Sequence, residues 1–162
     1  MIILYLFLMA LANDFFLIWI FIIRKNPKAP LLRKVGITYL SIFIPAAIIG
    51  IFLANIEMME SYYTIFLVIF LVFLGLEILY DYILKIDFRT NWKQAVPYLI
   101  LYYAMNYGLV VMPWKRDLVF GIILLILFIL QIIVNILTHA KFGKKGAQQS
   151  QTSAGAEKGA KP

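Results

Sequence analysis

Residues 62–84 read YYTIFLVIFLVFLGLEILYDYIL, an apolar run bounded by Glu60 on one side and Lys85 on the other. A helix rises about 1.5 Å per residue, so about 20 such residues cross the hydrocarbon of a bilayer. Four further stretches share this character, at 1–23, 35–54, 94–112 and 118–138, and the breaks between them are short and charged. The pattern predicts an all-α polytopic membrane protein, a bundle of five transmembrane helices within 1–138. Residues 139–162 follow as a disordered basic cytoplasmic tail.

Composition excludes the soluble classes. Hydrophobic residues make up 64% of the chain and charged residues 14%, against about a quarter charged in ordinary globular domains. That little charge cannot cover so much apolar surface in water. The longest interior break, 24–34, is too short for an independent folded unit, so any chemistry must sit among the helices or at their mouths.

Lys and Arg near helix ends are retained on the cytoplasmic side, whereas acidic residues contribute little. Arg24, Lys25, Lys28, Arg33 and Lys34 fall in the first break, Lys85, Arg89 and Lys93 in the third, and Lys141, Lys144, Lys145, Lys158 and Lys161 in the tail. The second break holds Glu57 and Glu60, and the fourth holds Lys115, Arg116 and Asp117. This asymmetry predicts the N-terminus outside, the C-terminus inside, and a cytoplasmic membrane as the location. Trp19, Tyr62, Tyr63, Trp92 and Trp114 stand near the helix ends, where amphipathic rings favour the headgroup level.

Ala10-Leu11-Ala12 has the small-x-small form of a signal-peptidase site, but no basic segment precedes it and the apolar run continues to Ile23. An uncleaved N-out helix is therefore expected. The absence of cysteine excludes disulfides, thiol catalysis and Cys-metal sites. The tail has too little apolar surface to offset the entropy of ordering. Its lysines suit anionic lipid headgroups at the inner face, each contributing about 1 kcal/mol near the surface. Topology accounts for the net charge of +7, so no nucleic-acid partner is expected.

The polar residues inside the crossings are the informative ones. A carboxylate at the centre of a crossing helix costs about 2.5 to 3.5 kcal/mol on insertion scales and usually faces the bundle interior or water. Asp14 lies on the first helix, and Glu77 and Asp81 lie on the third at i, i+4, which places them on one helical face. Measured from the inner basic flank, Asp14, Glu77 and Gln131 stand at nearly one level, roughly 12 to 15 Å deep. On the fourth helix Tyr98, Tyr102 and Asn106 recur every four residues, and on the fifth Gln131, Asn135 and His139 do the same. Helices 1, 3, 4 and 5 are thus expected to surround a polar centre formed by Asp14, Glu77, Asp81, Asn106, Gln131 and Asn135. Helix 2 offers Ala46, Gly50 and Ala54, a ridge of small residues for close packing, and Pro45, which bends a helix by removing one hydrogen bond.

Water-poor surroundings favour the neutral form of a carboxyl group over its anion. Asp14 and Glu77 are therefore candidates to exchange protons or small cations, and the leading expectation is a small transport-related or channel-like protein. Five helices leave little room for a complete pathway, which favours a homo-oligomer or a partner membrane subunit. A non-catalytic accessory or assembly subunit would use the same polar residues as interhelical glue. A lipid-phosphate-modifying enzyme would need Glu77, Asp81 and Asp87 around Mg²⁺, with Arg89 and Lys93 nearby. No hydrolase, zinc-protease or phosphate-loop motif is present. Catalytic residues and cofactors are therefore not expected, and no metal ligand set is assigned.

Overall fold

The computed structural model describes residues 1–24, 29–84 and 92–137. Among them, five helices are long and apolar enough to cross a membrane. They are α1 (Ile2–Arg24), α2 (Ala29–Ile56), α3 (Ser61–Glu77, continuing as a π-helical segment over Ile78–Ile83), α4 (Trp92–Trp114) and α5 (Leu118–Leu137).

The expected apolar runs match these helices, with one informative difference. α2 begins six residues before the expected start at Val35 and carries Arg33 and Lys34 within its first turns. Apolarity marks only the part of a helix suited to hydrocarbon, whereas backbone hydrogen bonding continues past it. Pro30 does not interrupt this start, because the first turn leaves its N–H groups without intrahelical partners. At the other end, the Met59 amide reaches back to the Ala54 carbonyl at 2.9 Å and the Met58 amide to Asn55 at 3.2 Å. This is a Schellman ending. It requires a left-handed residue, supplied here by Met58 with φ of 48°.

α1 packs on α2 and α4, and α3 packs on the same two helices, so α1 to α4 close a ring. α5 lies outside it. Its Phe120 stacks on Phe7 of α1 with ring centres 4.1 Å apart, and its Phe128 meets Tyr103 of α4 at 6.3 Å. The expected centre of helices 1, 3, 4 and 5 is amended by α2, which forms a wall of the ring, while α5 packs on its flank and reaches Tyr102 through Gln131. Tyr39 and Phe43 of α2 point into the ring and are buried, and neither carries the charge or amide by which inward faces were assigned.

The small ridge of α2 is used within the chain. Gly50 faces the Leu67 side chain and the Tyr5 ring, Ala54 is buried, and the Tyr5 hydroxyl donates to the Ala46 carbonyl at 2.7 Å. The ends of the bundle are tied by charge and by rings. The N-terminal ammonium stands 3.7 Å from Glu57, Arg116 stands 3.8 Å from Glu60, and Lys115 sits 4.1 Å above the Tyr62 ring. Tyr63, expected as an interfacial anchor, is instead fully buried and donates to the Met112 carbonyl at 3.1 Å. The tail, His139 and Asp87 lie outside the described residues, as does the Trp92 side chain.

Candidate functional site

Asn13 and Asp14 place two polar side chains on α1 midway through an apolar helix, and both are buried. The Tyr39 hydroxyl on α2 donates to Asn13 Oδ1 at 2.8 Å, and Asn13 Nδ2 points to the Met105 sulfur on α4 at 3.9 Å. Hydrogen bonds among these groups stand in for water, which a buried amide otherwise loses at a cost of about 1 to 3 kcal/mol. Asp14 is 3% exposed and Glu77 9%. Both lie within electrostatic reach of the Tyr39 hydroxyl, and Asp14 is also within reach of Tyr102.

The polar groups meet through tyrosines. Tyr98 donates to Glu77 Oε1 at 2.5 Å, and Gln131 Nε2 on α5 donates to the Tyr102 hydroxyl at 2.6 Å. Asn106 turns its amide back along α4 to the Tyr102 carbonyl at 2.8 Å. The acceptor oxygens of Asn106 and Gln131 are buried with no hydrogen-bond partner among the described residues. Asn135 is half-buried on α5.

Below this network lies a cavity of about 370 Å³, at the end of the bundle where α1 finishes and α2 begins. Its polar wall is Arg33 and Tyr39 from α2, Glu77, Asp81 and Tyr82 from α3, and Tyr98 from α4; Leu17 and Phe21 belong to its apolar wall. Glu77 and Asp81 line it together, as their spacing implies. Between them α3 widens into a π turn, closed by the Leu84 amide on the Leu79 carbonyl at 2.8 Å. Such turns recur at functional sites because they re-aim side chains within an otherwise regular helix.

The chain therefore distributes its expected site residues over two connected regions. Glu77 and Asp81 belong to the cavity, while Asp14, Asn106 and Gln131 belong to the interior above it. Asn13, Tyr39, Tyr82 and Arg33 had not been singled out as site residues. Tyr39 carried a signal: it stands about 12 Å along the helix from Leu31, too deep for a headgroup anchor. Asn13 and Arg33 were visible only as neighbours of a stronger feature. Comparison with protein-family models, with curated proteins and with solved structures finds no match to the chain.

Proposed function

We propose that this chain is a small multi-pass membrane protein, N-terminus outside and C-terminus inside a cytoplasmic membrane, whose polar core handles protons or small cations. The observation that carries the reading is the placement of Asp14 and Glu77. Both carboxyl groups are buried within the bundle, and Glu77 borders a cavity at one end. Buried acids in such positions commonly mark ion or proton pathways. A proton arriving on Glu77 from the cavity joins a carboxyl group that already accepts from Tyr98 at Oε1, and Tyr39 and Asn13 offer further hydrogen-bonding groups inward.

The outer surface supports membrane residence. Leu4, Phe15, Ile49, Phe52, Ile100 and Ile126 are each at least half exposed on the flanks of their helices, a distribution suited to lipid and hazardous in water. The accessory-subunit alternative calls for a partner-facing surface of small residues such as Ala46 and Gly50; Gly50 is covered by Leu67 and Tyr5 within the chain, and Ala46 is half-buried.

Reconstitution in liposomes tests the function. Wild-type protein should carry protons or small cations faster than protein-free vesicles. Asp14→Asn and Glu77→Gln should each slow that flux by roughly ten- to a hundredfold, the rate equivalent of losing one charged hydrogen-bonding group. Wild-type flux no greater than that of empty vesicles rejects the proposal.

Orientation has its own test. The chain contains no cysteine, so single replacements report without background. Met58→Cys, exposed between α2 and α3, should react with an impermeant thiol reagent in intact cells, and Ser150→Cys only after permeabilisation. The opposite labelling pattern would invert the proposed topology.

A further inference from the structure

α5 lies along the groove between α1 and α4, with Phe120 stacked on Phe7 of α1 and Phe128 against Tyr103 of α4. Asp14 follows Phe7 by seven residues, two helical turns, and so shares its face of α1. Asn106 follows Tyr102 by four residues and Tyr103 by three, and so shares their side of α4. Gln131 follows Phe128 by three on α5, and its amide reaches the Tyr102 hydroxyl at 2.6 Å. Asn13 meets Met105 while Phe21 meets Tyr102, so α1 and α4 run in opposite directions and hold Asp14 and Asn106 at similar depth. Three polar side chains therefore border one seam. All are buried, with Asp14, Asn106 and Gln131 at 3%, 1% and 0% exposure.

The seam is rich in acceptors. Asn106 donates its amide N–H to the Tyr102 carbonyl at 2.8 Å, and its Oδ1 is buried without a hydrogen-bond partner among the described residues, as is Gln131 Oε1. An amide oxygen can only accept, so a donor or a cation is what satisfies both. Asp14 adds a carboxyl group, which has one hydrogen bond from the neighbouring Asn13 and lies within electrostatic reach of Tyr102. No Lys or Arg occurs in 2–23, 94–114 or 118–137, so the spans that form the seam bring no positive side chain of their own. One carboxylate balances one positive charge. A divalent ion would leave an uncompensated charge at membrane depth, and it prefers six or more oxygens or a retained water shell. Leu109 and Leu124 are buried on the outer side of the polar groups. On the inner side the Tyr102 ring stacks on Tyr98, which lines the cavity, so the seam and the cavity adjoin.

We propose that the seam between α1, α4 and α5 binds one monovalent metal cation, sodium or potassium, held by the Asp14 carboxylate and the amide oxygens of Asn106 and Gln131. Fixed oxygens take the place of hydration water, as backbone carbonyls do in ion-selective channels. The site rests on the reading of the polar core as a cation-handling region, which it narrows to alkali ions and to a position on the flank of the ring.

Thermal melting of the purified full chain in detergent, at constant ionic strength, compares choline chloride with sodium chloride and with potassium chloride. A ligand that binds only the folded state raises the melting temperature. Wild type should gain about 5 °C or more at about a hundred times the half-saturating concentration, and whichever salt acts names the ion. Equilibrium dialysis with radioactive sodium, and with rubidium standing for potassium, should count about one site per chain. Asp14→Asn and Asn106→Leu should each weaken binding about tenfold or more. Each variant is read against its own choline baseline, so lower stability does not mask the shift; should either fail to fold, Gln131→Leu takes its place. Equal melting in all three salts with no bound isotope would mean that water alone fills the seam and overturns the site, as does wild-type affinity in a folded variant. Liposome flux without this binding rejects the site and leaves the transport reading, whereas binding without flux rejects that reading and leaves the site.

Discussion

Replacing Tyr102 by alanine should lower stability by about 3 kcal/mol or more, in the range for deleting a large buried aromatic side chain. The expectation rests on position. Tyr102 is fully buried on α4, with ring centres 6.4 Å from Phe21 on α1, 6.1 Å from Phe73 on α3 and 5.3 Å from Tyr103. Its hydroxyl receives the Gln131 amide of α5 at 2.6 Å. One side chain therefore connects four of the five helices. Between helices in lipid, packing rather than water release supplies most of the association energy, and an alanine leaves a void on several walls at once. Reversible unfolding in mixed micelles with a denaturing detergent measures the loss. Tyr102→Phe should cost only about 1 kcal/mol, because interhelical hydrogen bonds in membranes are worth about that much. Adding Gln131→Leu to Tyr102→Phe should recover part of it, since no buried donor is then left without an acceptor. If Tyr102→Phe proves as damaging as Tyr102→Ala, the hydroxyl and not the ring holds the helices together.

Enlarging Gly108 should be the other severe change. Gly108 is buried on α4 against α3, and a methyl group there would meet Phe66 Cδ1 at 2.5 Å, Cγ at 2.6 Å and Cβ at 2.8 Å. The Cβ atom is fixed to the backbone, so rotation of the ring cannot relieve the contact. Nor is the ring free to leave, with Tyr62 and Tyr107 packed at 6.3 and 6.0 Å. Gly108→Ala should cost about 1 to 3 kcal/mol, the usual penalty for overpacking, and Gly108→Leu more, by forcing the two helices apart. The same unfolding measurement decides it. A Gly108→Leu variant as stable as wild type would mean that α3 and α4 do not approach this closely. Gly75 is the internal control: it is exposed and has nothing within 4 Å of an added methyl, so Gly75→Ala should be neutral or mildly favourable for helix propensity.

These two glycines show where legibility stopped. The small ridge of α2 could be recognised because its residues recur every four positions, and Gly50 and Ala54 do lie at packed positions. Gly108 has only Ala104 at that spacing and Gly121 has no small residue there, yet both make closer approaches, Gly108 to Phe66 and Gly121 to Trp114. Whether an isolated glycine matters depends on the side chain opposite it, and that neighbour belongs to another helix. The same limit applied to the site. Asp14 and Glu77 stood out because a carboxyl group in an apolar run demands an explanation, whereas Tyr39 and Tyr98 are ordinary constituents of crossing helices until their hydroxyls are placed on Asn13 and Glu77.

Chain chemistry alone determined the number of apolar helices, their approximate ends and the residues that lipid would reject, because each follows from the solvation of single side chains along one axis. Which helices close the ring was decided only by tertiary structure. Five apolar helices compete for four places in the ring, and the outcome turns on how pairs of faces fit: Tyr39 and Phe43 brought α2 in, and α5 was left to dock through Phe120, Phe128 and Gln131. The cavity likewise exists only because Arg33, Glu77 and Tyr98 converge from three separate helices, a coincidence in space that no periodicity within one helix encodes.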